Sequence, residues 1–456
     1  MNEPVPRRRP CLAFEFLRAR AYVRPSQVLK LVTSPIRRAF LRLALALLAS
    51  GTARAQLPPP DRILSEPRPA LLHLGPLDVH ARASSSFVYD DNISLHDRPR
   101  TGTQVGNIQT GKSLAPLGDD FIFTFSPGIV FNKAATMEDS HTAFALDYSP
   151  SFLFFMKNSQ QNSVNHNAHL DAGYAFTKLT LGLVQTFAAT EGGVVDAGDR
   201  VKQRNYNTGL SVRYEMTEKT FLLLDGAYRL TDYETLTDSQ EWTVTSTANY
   251  QISPKVTLGL GVTVGQLYVE EQVLRAGTTN QIVSEVRVQT YVGPTLRATY
   301  KTSEKTDVSL SFGGEWRTYE DGNATFGPVF ALTGSYRPFE GTGFTVEGHR
   351  RQQNSAVING ANYITTGGGV GARQRLRENL FGTLNFTYDH SDYEPTSKNV
   401  TITRRDDYFL LRCGLEAILG RSWSLGVFYQ YREDISSDEN YSFQNNQVGI
   451  QAAWGY

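Results

Sequence analysis

Cysteine and methionine are nearly missing from this chain, at two and four among 456 residues. So few cysteines exclude a disulfide framework. Neither sign of charge dominates, because Lys plus Arg and Asp plus Glu each total 45. That balance lacks the basic surplus of a nucleic-acid binder, and no nucleic-acid partner is expected. Apart from the N-terminal stretch, no run approaches the roughly 18 apolar residues of a spanning helix, which excludes a helical membrane protein. What the chain has instead is glycine (38), phenylalanine (25) and tyrosine (22), a composition that suits a twisted, aromatic-rich sheet.

Arg37, Arg38 and Arg42 precede the apolar run Leu43 to Ala49, and Ala53-Arg54-Ala55 supplies small residues of the kind a signal peptidase reads. Residues 1–55 are expected to be a secretory signal with a long basic extension, cut before Gln56. Cleavage removes Cys11 and leaves Cys413 alone, so no intramolecular disulfide is expected. Residues 56–76 carry six prolines, a density read here as incompatible with helix or ladder pairing, and form a periplasmic lead-in.

From residue 77 to 456 one unit repeats: a strand of about ten to fifteen residues, a connection, another strand. Short polar turns such as Thr217-Glu218-Lys219, Ser253-Pro254-Lys255 and Gly420-Arg421-Ser422 alternate with longer polar stretches, among them 92–119, 190–204, 231–240, 389–404 and 433–441. Within strands the parity is sharp. Val286, Val288, Val292, Leu296, Ala298 and Tyr300 alternate with Glu285, Arg287, Gln289, Tyr291, Thr295, Arg297 and Thr299. A soluble sandwich also alternates. Length and aromatic ends decide between them. About ten residues at ~3.3 Å each, tilted ~40°, span roughly 25 Å of hydrocarbon. Pairs such as Trp242 and Tyr250, Tyr206 and Tyr214, or Trp423 and Tyr431 place aromatics at both interfaces. The predicted fold is all-β, a closed antiparallel transmembrane barrel of about eighteen strands (range about 16–20), wide enough for an aqueous lumen. The strands are centred near residues 85, 126, 149, 169, 185, 209, 226, 246, 262, 291, 312, 331, 349, 369, 387, 412, 429 and 449.

The inward parity of these strands carries Arg213, Arg229, Glu285, Arg287, Arg297, Glu315, Arg317, Glu347, Arg351, Arg373, Arg375, Arg412, Glu416 and Arg432 as candidate pore-lining residues. Arginines outnumber carboxylates in this set. Two readings stay open: a wall that favours anions, or an internal network of paired charges. His166 and His169 lie three apart on a strand and so face opposite sides, which rules them out as a metal pair. Asp389-His390-Ser391 contains hydrolase residue types, but neighbours cannot assume triad geometry, and they read as loop residues. Gly367, Gly368, Gly369 and Gly371 have no helix after them and permit bending or close backbone approach. Asp90, Asp91 and Asn92 offer oxygen ligands for calcium, against which stands a solvated turn. No motif calls for a cofactor, a metal or a catalytic role.

The first strand ends Phe87-Val88-Tyr89-Asp90-Asp91-Asn92-Ile93 and the chain ends Trp454-Gly455-Tyr456. With the repeated hairpins, these resemble the putative β-barrel porin 2 family of outer-membrane proteins. The resemblance implies an outer-membrane barrel. Some members are associated with exopolysaccharide export, which implies passage of a surface polysaccharide and secretion components as partners. The last strand also resembles the signal read by the barrel assembly machinery, with Trp454 and Tyr456 as its aromatic end. It departs from that signal at Gln451, where glycine is common. The expected function is a non-enzymatic porin or channel in contact with outer-membrane lipid. The alternatives are a structural or surface-binding barrel with a closed lumen, and a barrel-borne enzyme in which a serine and a histidine converge.

Overall fold

The computed structural model describes residues 70–456 except 98–99, 106–107, 115–116, 134–140, 276–280, 303–304, 321, 397–400 and 456. The expected signal, most of the lead-in and Tyr456 lie outside the described residues. The strands are β1 (Leu72–Leu74), β2 (Leu77–Asp90), β3 (Arg100–Val105), β4 (Ile108–Leu114), β5 (Asp120–Lys133), β6 (Thr142–Phe155) and β7 (Ser163–Ala175). There follow β8 (Leu179–Val194), β9 (Asp199–Glu215), β10 (Thr220–Tyr233), β11 (Asp238–Ser253), β12 (Val256–Arg275), β13 (Gln281–Thr302) and β14 (Thr306–Tyr319). The last are β15 (Ala324–Tyr336), β16 (Thr342–Asn354), β17 (Ala361–Arg377), β18 (Leu380–Pro395), β19 (Arg405–Leu419), β20 (Trp423–Ser436) and β21 (Phe443–Gly455).

Strands β2 and β5 to β21 each pair antiparallel with their neighbours, and β21 returns to β2 from Arg82↔Gly455 to Asp90↔Gln447. The result is a closed eighteen-strand ring whose members coincide with the strand centres read from the sequence. Closure leaves no free sheet edge in lipid, which is why such a ring can span a membrane.

Alternation decides the two faces. Leu210, Leu260, Leu296, Val448 and Ile450 are all more than half exposed on the outside of the ring. Their strand neighbours turn inward, and Thr247 and Gln289 are among the most enclosed of these. Tyr174, Tyr214, Tyr250, Tyr300, Tyr336 and Trp423 sit outward near the end that carries the termini. Tyr228, Trp242, Trp316 and Phe326 form a second outward band nearer the other end. From Trp242 to Tyr250 the strand climbs about 20 Å at ~3.3 Å per residue and ~40° tilt, close to the height of a lipid-facing band.

Four expectations are corrected. The proline-rich lead-in does pair at its end, where Leu72–Leu74 folds back on Leu77–Val79. The long polar stretches are mostly ladder. Thr190 to Val194 and Asp199 to Arg204 continue β8 and β9, and the turn between them is only 195–198. Polar residues outside lipid still bond in a sheet, so the strands outrun the membrane. Tyr431 is 8% exposed rather than interfacial, with its hydroxyl donating to Glu433 at 2.7 Å. Asp389, His390 and Ser391 are ladder residues of β18, not loop.

The Asp90-Asp91-Asn92 segment is not a solvated turn but a buried clasp between the first strand and the last. Asp90 and Asn92 are buried. The Asp90 carboxylate accepts from Asn445 and from Gln447 (2.7 Å), and Asp91 accepts from the Asn446 backbone (2.6 Å) and side-chain amide (2.7 Å). These charge-assisted bonds clasp the first strand to the last. No His, Cys, Asp and Glu group among the described residues is arranged to hold a metal.

Candidate functional site

At the end away from the termini, several turns leave the ring and meet over its mouth. The tip joining β16 to β17 reads Ser355-Ala356-Val357-Ile358-Asn359-Gly360. The Ser355 hydroxyl accepts from the backbone of Val357 (3.2 Å) and Ile358 (3.0 Å), which folds the tip. Gly360 closes it at φ 69°, a conformation other residues adopt only with strain. The tip reaches β8, β9 and their turn, although eight strands, β9 to β16, separate the two turns on one path round the ring and ten on the other, β17 to β21, β2 and β5 to β8. It therefore crosses the lumen.

Three ties hold it there. Asp196, in the β8–β9 turn, accepts from the Ala356 backbone (2.8 Å), from Ser355 (3.1 Å) and from Tyr393 (2.7 Å). Thr237, in the β10–β11 turn, donates its backbone N–H to Ala356 (2.9 Å) and its hydroxyl to Asn359 (3.1 Å). Glu271, near the end of β12, accepts from the Gly360 backbone at 2.7 Å. Beneath these bonds Ala197, Val201, Leu236, Ala356, Val357 and Tyr441 form one buried apolar cluster. Arg404 lies under it, paired with Asp406 (2.6 Å) and Asp196 (3.5 Å) and stacked on Tyr441 (3.6 Å) and Tyr393 (4.4 Å). Burial works against the Arg404 charge, but Tyr393, Asp196 and Asp406 outweigh it and raise its pKa above the ordinary arginine value.

A second segment folds in from the β2 side. Ile93, Ser94, Leu95 and His96 are all at most 3% exposed. Leu95 packs where a side chain on Gly193 of β8 would stand. Residues 93–96 thus fold inward, while β3 and β4 pair with each other further along.

Below the cap the interior divides into two walls. On β7, β9 and β10 the inward Asn167, His169, Asp171, Asn207, Ser211, Ala227 and Arg229 are exposed, so solvent reaches them inside the ring. On the β11–β20 side, inward groups lie flat and bond to one another. Gly265 leaves room for the Tyr291 ring, whose hydroxyl donates to Glu241 at 2.9 Å. Gly367 does the same for Asp389, which pairs with His349 at 3.2 Å. The glycine run of β17 therefore provides close approach.

The nominated inward charges fall mostly into pairs. Arg213 meets Glu215 (2.6 Å), Arg229 meets Glu241 (3.0 Å), and Arg287 meets Glu285 (2.9 Å). Arg317 meets Glu315 (2.9 Å), Arg373 meets Glu416 (2.8 Å), Arg375 meets Glu340 (3.4 Å), and Arg297 approaches Asp225 (3.9 Å). Arg412 bonds Gln430 (3.2 Å) and stacks on Phe428 (4.1 Å), while Arg432 bonds Asn445 at 2.8 Å. Glu347 rests against Gly369, and Arg351 is exposed on the same row. Arg213, Arg317 and Arg373 also stack on Phe221 (3.5 Å), Tyr291 (4.6 Å) and Phe381 (4.3 Å). This is the paired network rather than a standing row of positive charge. Ser391 bonds Thr365 at 3.1 Å, while His390 pairs with Asp407 (2.8 Å), so the two side chains diverge. Trp454 lies outward, in register with Trp423 of β20 and Ala83 of β2.

A closed antiparallel eighteen-strand ring with apolar residues outside and polar residues inside defines an outer-membrane β-barrel of porin-like fold. The family model described as "Putative beta-barrel porin 2" matches residues 310–454, from within β14 to the end of β21. Among curated proteins, none is similar to this chain. Solved barrels of similar fold include the ferric citrate transporter FecA in its unliganded form, at 10% identity over 83% of this chain and 79% of that one, TM-score 0.43. The outer-membrane channel DcaP of Acinetobacter baumannii is 14% identical over 85% and 99%, TM-score 0.39. OccK3 (OpdO) of Pseudomonas aeruginosa is 10% identical over 83% and 96%, TM-score 0.40. At such similarity no residue role passes from them to this chain.

Asp196, Arg404 and the 355–360 tip are not among the residues singled out in the sequence. The available signal was Ala356-Val357-Ile358, three apolar residues at the tip of a hairpin where solvent-exposed turns are polar.

Proposed function

We propose that this chain is an outer-membrane channel, its termini in the periplasm and its capped mouth outward, that passes a hydroxyl-rich solute such as a surface polysaccharide. The observation that carries the reading is the exposed inward row Asn167, His169, Asp171, Asn207 and Ser211, which marks a solvated path below the cap. Amide, imidazole and hydroxyl groups on that row match sugar hydroxyls as donors and acceptors. The pairing of the inward arginines takes away the fixed charge that an anion-selective wall requires. Planar-bilayer recording of refolded residues 56–456 in a salt gradient tests this. Discrete openings with a reversal potential near zero are expected; strong anion preference overturns the solute class, and no openings in any variant overturns the channel.

The cap favours a second reading, a closed barrel whose outer turns bind a partner. Silent recordings from the folded protein, with and without its cap bonds, select that reading.

A further inference from the structure

We infer that the β16–β17 tip, residues 355–360, is a gate that swings out of the mouth to open the lumen and is latched shut by Asp196. The inference rests on the channel reading and adds where and how conduction is controlled. The ladder between β16 and β17 ends at Asn354↔Asn362, with one further bond from Ser355 to Ala361. Beyond that point the tip leaves the ladder, and it stays tied to the ring beside it through the Gly360 carbonyl, which accepts from the Thr396 backbone at 2.8 Å. Its holds on the far side are the bonds to Asp196, Thr237 and Glu271 and the apolar contact of Ala356 and Val357 with Ala197, Val201 and Leu236. All of these can break while every strand pairing persists. The ring is then a fixed frame and the tip a two-position element.

Gly360, with its left-handed φ, joins the tip to β17 at a place where backbone rotation is cheap. On the opposite side, Asp196 receives donors from Ser355 and Ala356 of the moving tip, and it also contacts Tyr393 and Arg404, which belong to β18 and the segment before β19. Asp196 therefore ties three regions of the mouth together, and its loss removes the tip's bonds through Ser355 and Ala356 at one stroke, leaving those to Thr237 and Glu271 and the apolar contact. The capped end lies opposite the termini. A solute entering from the termini side therefore fills the solvated lumen before it meets the gate.

The test is a cross-link that can be made and undone. Thr237 and Ala356 share a backbone hydrogen bond, so their Cα atoms lie within reach of a disulfide. Thr237→Cys with Ala356→Cys, in a Cys413→Ser background, is recorded in bilayers before and after reduction, beside Asp196→Ala without a cross-link. A heat-modifiable band confirms that each protein is folded. The expected result is at least tenfold less open time in the oxidised protein, recovery on reduction, and at least a tenfold rise in open time for Asp196→Ala. Equal conductance in oxidised and reduced protein overturns the gate while the channel stands. Silence in every variant, Asp196→Ala included, overturns both.

Discussion

The mouth and the β7–β10 wall are built from similar residues and behave in opposite ways. Asp196 is nearly enclosed and bonded to a tip that crosses the ring; Asp171, on β7, is exposed inside the same ring. The difference lies in what faces each carboxylate. Asp196 meets the Ala356 backbone N–H and the Ser355 hydroxyl of the tip, a tyrosine hydroxyl and a guanidinium, whereas Asp171 meets the lumen. A buried carboxylate holds structure together because water cannot replace it as acceptor for the donors that face it. An exposed one is free to meet a solute. On the proposed reading, the barrel separates a part that closes from a part that conducts, at two heights of one wall. Along β9, Val201 belongs to the cap, and Asn207 and Ser211 lie further along the strand in the open lumen.

The sharpest way to break this comparison is to remove each carboxylate in turn. Asp196→Ala leaves Arg404 short of one partner and strands the Tyr393 hydroxyl and the Ala356 amide, at a cost of about 3 kcal/mol in cap stability. Hydrogen exchange at the Ala356 amide should rise accordingly, while ring amides keep their protection. Asp171→Ala should change stability by less than about 0.5 kcal/mol. Comparable effects at the two sites would remove the distinction.

The glycine-bedded wall offers a second contrast. At Gly265 a valine meets the Tyr291 ring and the Trp242 carbonyl, and overpacking there is expected to cost about 2 kcal/mol in urea unfolding. Ala227→Val, on the exposed wall, has room and should be close to neutral. At the seam, Asn445→Ala takes donors from the buried Asp90 carboxylate and should cost about 1.5 kcal/mol.

The smallest effect belongs to the exposed pair Lys157 and Asp119. The hydrogen bond from Lys157 lowers the Asp119 pKa, so whatever the pair contributes is present above the ordinary carboxylate range. That contribution is lost as pH falls through the lowered value. Lys157→Ala should lower the unfolding midpoint at pH 7 only slightly and flatten its fall below about pH 4.

The ring was legible because period-two alternation repeats on every strand, and most turns at the end that carries the termini are short and polar. All eighteen strand positions follow from that one rule, and so do the inward positions of Arg213, Glu285, Arg373 and Glu416. The closure of the mouth was not legible. Asp196 and Ala356 lie on elements nearly opposite in the ring, and no local pattern says that two distant turns meet. The two-stranded clasp was hidden for the same reason: Asp90 and Asn445 stand on the first and last strands of the ring, and local reading offered calcium or solvent for a carboxylate that bonds the last strand instead. Residues 190–204 misled because polarity marks distance from lipid, whereas ladder pairing continues wherever two backbones stay in register.

The central claim is that the lumen is open below a mouth closed by the folded tip. It is tested most directly by the labelling rate of Ser211→Cys in a Cys413→Ser background, using a bulky water-soluble maleimide. The rate is measured on intact cells and again after the periplasm is made accessible. Rapid modification is expected from the periplasmic side and at least tenfold slower modification from outside, with the outside rate rising when Asp196→Ala is added. Equal rates from both sides in the otherwise unaltered barrel would contradict it.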